Sequence, residues 1–106
     1  MATDDELRVL DTELERVVDR LNGMPLYRAA TATDACYDVA EDLLARTREL
    51  DHAVPTDVAL PMLEPHGLGS LIAVIGRDYA NAAKAAPLSD VRPMTDRLIE
   101  LRRSLP

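Results

Sequence analysis

The chain has 106 residues and a formal net charge of -7, with 47% hydrophobic residues, one Cys, three Tyr and neither Phe nor Trp. That length suits one domain, residues 1-106, and that apolar supply excludes wholesale disorder. The acidity excludes a broad basic surface able to displace counterions from nucleic acid and disfavours anionic membranes. One cysteine cannot close an internal disulfide. No apolar run approaches the ~18 residues of a membrane span. The acidic start Met1-Ala2-Thr3-Asp4-Asp5-Glu6 lacks the basic and apolar regions of a signal peptide, so the expected location is cytoplasmic.

Charge is unevenly placed. Residues 1-23 carry seven acids and three bases, residues 31-52 six acids and two bases, and residues 89-106 three acids and four bases. The two halves should attract, which biases how they meet without specifying a fold.

Helix 1 is expected from Thr3, where Thr3 and Glu6 have the spacing of a capping box. Leu7, Leu10, Leu14, Val17 and Leu21 step 3, 4, 3, 4, which is an amphipathic seam, and Val18 widens it. Asn22-Gly23 and Pro25 stop the helix. The connection Met24-Pro25-Leu26-Tyr27-Arg28 is apolar for a loop. Its expected role is to plug one end of the core through Leu26 and Tyr27; the alternative is a binding lip.

Helix 2 is expected from Thr31, capped with Asp34, with the stripe Cys36, Val39, Ala40, Leu43, Leu44, Thr47 and Leu50 facing inward. Asp42 and Arg46 have i,i+4 spacing for a surface pair. Residues 53-67 hold Pro55, Pro61, Pro65 and Gly67, with one helical turn expected at Thr56-Leu60. A loop of this length in a small domain is a place to look for function, and part of its apolar content must pack.

Helix 3, Leu68 to Ala86, opens on nine residues without charge and reads as the central element that the other helices shield. Ala73, Gly76 and Ala80 offer a small-residue groove for a close neighbour. Helix 4 begins at Ser89 or near Arg92 with Pro93 in its first turn, and Met94, Leu98, Leu101 and Leu105 form its stripe. The expectation is an all-α fold: a four-helix bundle with a central apolar third helix and a Pro-rich loop between helices 2 and 3.

The residues offer little catalytic chemistry. Cys36 lies on an apolar stripe, where thiols are inert. His52, Asp57, Glu64 and His66 lie in or beside the Pro-rich loop without a metal-ligand spacing. Gly67-Leu68-Gly69-Ser70 reads as a plain start of a helix, since no strand leads in and no Lys follows. The acids of helices 1 and 2 fall opposite the Leu stripes, on a solvated face. Arg77 and Asp78 are expected to pair, or else to line a pocket mouth with Tyr79.

Tyr37-x-x-x-Glu41 resembles, as a pattern, the Tyr-x-x-x-acid signal of the small helical-hairpin substrates of actinobacterial type VII secretion. That family also has a Trp-x-Gly turn, and here Tyr37 opens helix 2 where the signal follows the hairpin. The likeness covers five residues and assigns no family.

The functional expectation is a non-enzymatic interaction module that forms a homo-oligomer or binds another protein, with no cofactor, no metal, no nucleic acid and no membrane as partner. The alternatives are a small-molecule- or metal-binding bundle, with a hydrolase among its forms, using the 53-67 loop, and a secreted helical-hairpin-like substrate. The candidate ligand or partner site is Tyr27, Met62, Glu64, His66, Arg77 and Tyr79.

Overall fold

The computed structural model describes residues 2-51, 60-61, 63-86 and 89-106. Among them the chain is all-helical, with no strand: α1 (Asp4–Asn22), α2 (Leu26–Thr31), α3 (Thr33–Leu50), a 3-10 turn (Pro65–Gly67), α4 (Leu68–Ala85) and α5 (Arg92–Ser104). Residues 56-59 of the expected turn, and Met62, lie outside the described residues.

The capping box of α1 forms as its spacing requires. The Glu6 N–H donates to the Thr3 hydroxyl at 3.1 Å, and the Thr3 N–H donates to the Glu6 carboxylate at 3.0 Å. The Thr3 N–H foremost, and then the Thr3 hydroxyl beside it, hold the Glu6 carboxyl below its usual range. Leu10, Leu14, Val17 and Leu21 are all buried, and so are Cys36, Val39, Ala40, Leu43 and Thr47 of α3 and Met94, Leu98, Leu101 and Leu105 in or just after α5. Each predicted stripe therefore faces the core.

The caps are less regular. Thr31 does not start α3. It closes α2, its hydroxyl donating to the Arg28 carbonyl at 2.7 Å, and Ala32 separates the two helices without a side-chain cap. Ser89 does not start α5 either. It is buried, and its hydroxyl donates to the carbonyls of Ala83 (2.8 Å) and Ala86 (3.1 Å), satisfying groups that the end of α4 leaves open. Thr and Ser bond back to a preceding carbonyl as readily as forward to an N–H, so their presence marks a boundary without saying which helix they serve.

Side-chain pairs fix the helix directions. Arg92 reaches Glu6, Arg102 reaches Glu13 and Arg20 reaches the Leu105 carbonyl, so α1 and α5 run parallel. Gly69 abuts Asn22, Gly76 abuts Leu14 and Lys84 reaches Asp11, so α4 runs opposite to α1. Arg97 reaches Asp42, and Ala35 and Asp38 share a cleft with Leu101 and Ser104, so α3 runs opposite to α5. It follows that α3 and α4 are parallel. The connection leaves α3 at Asp51 and is back beside Tyr37, near the start of α3, at Pro61 and Leu63. Those points are separated by about 21 Å of helix rise, which no tight turn can bridge. The length of the Pro-rich connection thus has a structural cause.

α4 packs on α1 and α3, and α5 closes the other side of that pair. This corrects the expectation of a central, fully shielded helix. Leu68, Leu71, Ile72, Gly76, Tyr79, Ala80 and Ala83 are buried, but Val74 is 59% exposed. Val74 shares its face with Ser70, Arg77, Asn81 and Lys84, all exposed, at spacings 4, 3, 4, 3. The helix is amphipathic along its whole length, and a single valine on its polar face costs little.

The attraction between halves takes specific form. Asp11–Lys84, Glu6–Arg92, Asp42–Arg97 and Glu13–Arg102 join different long helices, each an acid of the first half with a base of the second. Glu13 is the buried member: its two oxygens receive Arg16 Nη1 at 2.9 Å and Arg102 Nε at 3.1 Å.

Candidate functional site

One end of the molecule gathers α2, the 3-10 turn and the start of α3. Pro25 precedes α2, and its carbonyl accepts from the N–H groups of Arg28 and Ala29, both at 3.0 Å. Ala29 is buried and anchors the short helix, while Leu26 (58% exposed) and Tyr27 (69% exposed) project outward. Their expected role as a plug is therefore corrected: Met24 is the residue of that connection that packs on the core. Ala29 occupies the buried face of α2, and Tyr27, two positions earlier, falls on the other side, while Leu26 is the first residue of the helix and stays exposed at its end.

The 3-10 turn packs against α2. Pro65 opens it and the Gly67 N–H donates to the Glu64 carbonyl at 2.8 Å. Leu63 lies against Gly67, within 3.2 Å of where a β-carbon would stand, and remains 38% exposed. Tyr37 holds this segment. Its hydroxyl donates to the Pro61 carbonyl at 2.6 Å and accepts from the Leu63 N–H at 2.8 Å. Leu60, just before, is partly buried against the core, so the expected packing of the connection falls on Leu60 rather than Leu63.

Three of the five large apolar side chains exposed among the described residues are thus Leu26 and Tyr27 on α2, and Leu63, which lies against Gly67 of the turn that α2 contacts. Charge is sparse there. α2 carries no acid, and its Arg28 guanidinium stands 5.9 Å from the centre of the Tyr27 ring, a cation–π distance. Glu64 and His66 are exposed on the neighbouring turn.

The structure divides the sequence-derived set. Tyr27, Glu64 and His66 come together at this end. Arg77 is exposed on α4 and lines an open cleft with Leu14, Glu15, Val18, Asp19 and Ala73. Tyr79 is 2% exposed and belongs to the core, where burial raises its hydroxyl pKa. Arg77 and Asp78 are both exposed, and no ion pair joins them among the described residues. Neither Arg77 nor Tyr79 lines the open groove of about 400 Å³ between α3 and α4, which is formed by Leu44, Thr47 and Ile75 with Asp51, Asp78 and Asn81 at its rim.

Among the described residues no three His, Cys, Asp or Glu side chains gather as a metal site would require, and no helix is long and apolar enough to cross a membrane. His52 and Asp57 lie outside those residues. Cys36 is fully buried, and burial pushes its thiol up to about 11.

Sequence reasoning passed over two further apolar positions at the surface, the exposed Val9 and the half-buried Ile99. Both are apolar residues off the stripe of their helix, which is the signal that marks them. They line one groove between α1 and α5.

Comparison with family models, with curated proteins and with solved structures finds no match to this chain. What the coordinates define is a class by architecture alone: an acidic, all-helical domain with an apolar, charge-poor end.

Proposed function

We propose that this protein is a non-enzymatic interaction module, a bundle of four long helices that self-associates through the end formed by α2 and the 3-10 turn. The observation that carries the reading is the exposure of Leu26, Tyr27 and Leu63 on one charge-poor end. A chain of net charge -7 repels its own copies, so the least costly approach is through the face with fewest carboxylates. Arg28 and Glu64 flank the patch with opposite signs, which permits a two-fold pairing of each with the other on a second copy.

The three side chains expose roughly 300 Å² together, so two copies bury roughly 600 Å² through them. That is about half the area of a stable complex, and it argues for a weak dimer, with a Kd of roughly 0.1 to 1 mM. Sedimentation equilibrium over rising concentration should show a monomer–dimer equilibrium. The double variant Leu26→Ser, Tyr27→Ser should be monomeric with unchanged helicity, and Arg28→Glu should weaken the dimer. A strict monomer at about 1 mM removes the proposal.

A further inference from the structure

The parallel helices α1 and α5 leave a groove of about 300 Å³ between their N-terminal halves, lined by Asp5, Glu6, Val9, Arg92, Thr95, Asp96 and Ile99. Its floor is apolar. Val9 is 51% exposed, Ile99 is half-buried, and Thr95 is buried with its hydroxyl proton committed to the Val91 carbonyl at 3.1 Å, so it offers no free donor. This is the shape that accepts the apolar ridge of a third helix lying along two others.

The rim is acidic, and its base is already committed. Arg92 spends Nε and Nη2 on the two oxygens of Asp90, at 3.0 and 3.1 Å, and reaches Glu6 at 3.5 Å. Among the described residues Asp5 pairs with Arg8, at 3.5 Å, with both side chains more than three-quarters exposed, an arrangement that water screens heavily. Asp96 makes no direct ion pair among the described residues. Among the described side chains at this rim, Asp5, Glu6, Asp90 and Asp96 therefore stand against Arg8 and Arg92, on a chain of net charge -7. A second copy would bring carboxylates against carboxylates here. A cationic partner would neutralise them.

We infer that this groove docks an amphipathic helix of another protein, with an apolar stripe seated on Val9 and Ile99 and Lys or Arg side chains beside Asp5 and Asp96. This surface is separate from the α2 end, and the inference does not depend on self-association there. Docked, the Arg92–Glu6 pair becomes less exposed, and the partner's cations meet the field of the whole acidic chain.

The test uses a fluorescent peptide of about four helical turns with Leu at i, i+3, i+4 and i+7 and Lys elsewhere. Two controls share its length: the same residues scrambled, and Glu in place of Lys. The patterned peptide should bind at low salt with a Kd of tens of micromolar and weaken about tenfold between roughly 50 and 300 mM salt. Val9→Ser and Asp96→Lys, both at solvent-facing positions, should each weaken binding about fivefold with unchanged far-UV circular dichroism. Amide shifts on titration should centre on Val9, Thr95, Asp96 and Ile99. Equal binding of the scrambled or acidic peptide, indifference to both substitutions, or shifts centred on Tyr27 and Leu63 would overturn the inference. So would groove shifts that grow with protein concentration in the absence of peptide, since the occupant would then be a second copy.

Discussion

Replacing Gly76 by alanine puts a methyl group where Leu14 of α1 already lies. A β-carbon built there meets Leu14 Cδ1 in hard overlap, with Cδ2 at 3.0 Å and Cγ at 3.3 Å. Leu14 is 7% exposed, so its branched end cannot swing into water without moving its neighbours. Overpacking of this kind costs about 1–3 kcal/mol. Against it stands the helix preference of Ala over Gly in the middle of α4, about 1 kcal/mol. The balance is a net loss of about 1 kcal/mol, or roughly 5 °C in Tm for a domain of this size. Leu14→Ala alone should cost about 2–3 kcal/mol through the cavity it opens. In that background the overlap is gone, and Gly76→Ala should become stabilising by about 1 kcal/mol. The sign reversal amounts to a coupling of about 2 kcal/mol, readable as shifts in denaturation midpoint at constant m-value across the four chains of a double-mutant cycle. A stabilising Gly76→Ala in the parent chain, or the same effect in both backgrounds, would refute the close α1–α4 approach. Gly69→Ala is the natural control. There the overlap is with the Asn22 amide, an exposed side chain that can turn away, so the change should be near neutral.

Two further outcomes follow from single groups. The Cys36 thiol, pushed up to about 11 from 9.0 by burial, should react with iodoacetamide at pH 8 at least about a hundredfold more slowly in the native protein than in urea, and equal rates would contradict a core thiol. Because its folded pKa is the higher one, the stability it contributes is fully present below pH 9.0 and is lost as pH rises through about 11. Tyr37→Phe removes both bonds that hold Pro61 and Leu63, so the Leu63 amide should exchange at least about tenfold faster while global stability falls by only about 1 kcal/mol. Unchanged Leu63 protection would show that the hydroxyl does not hold this segment.

The candidate end was half legible in the chain. Tyr27 stood out as an aromatic in an apolar connection, and Glu64 and His66 as polar groups in a Pro-rich stretch. Leu26 shares that connection and reads, like Leu63, as an apolar loop residue that packs; only the tertiary structure leaves the two 58% and 38% exposed. Tyr79 misled for the opposite reason. It follows Arg77 and Asp78 in sequence, but each residue turns about 100° round the helix, which carries Tyr79 onto the buried face.

The sequence by itself determined where the long helices run and which face of each is dry. Those properties depend on neighbours within two turns, and stripes such as Leu10–Leu14–Val17–Leu21 state them locally. Even the exposure of Val74 was written there, in the polar series Ser70, Arg77, Asn81 and Lys84. Only the tertiary structure decided that α1 and α5 lie parallel, that Glu13 is buried between Arg16 and Arg102, and that Tyr37 meets Pro61 and Leu63. An apolar stripe specifies that a face must be covered but carries no information about which helix covers it or in which direction. That choice is made by shape and charge between residues far apart in the chain, and it leaves Val9 with Ile99, and Leu26 with Leu63, on the surface.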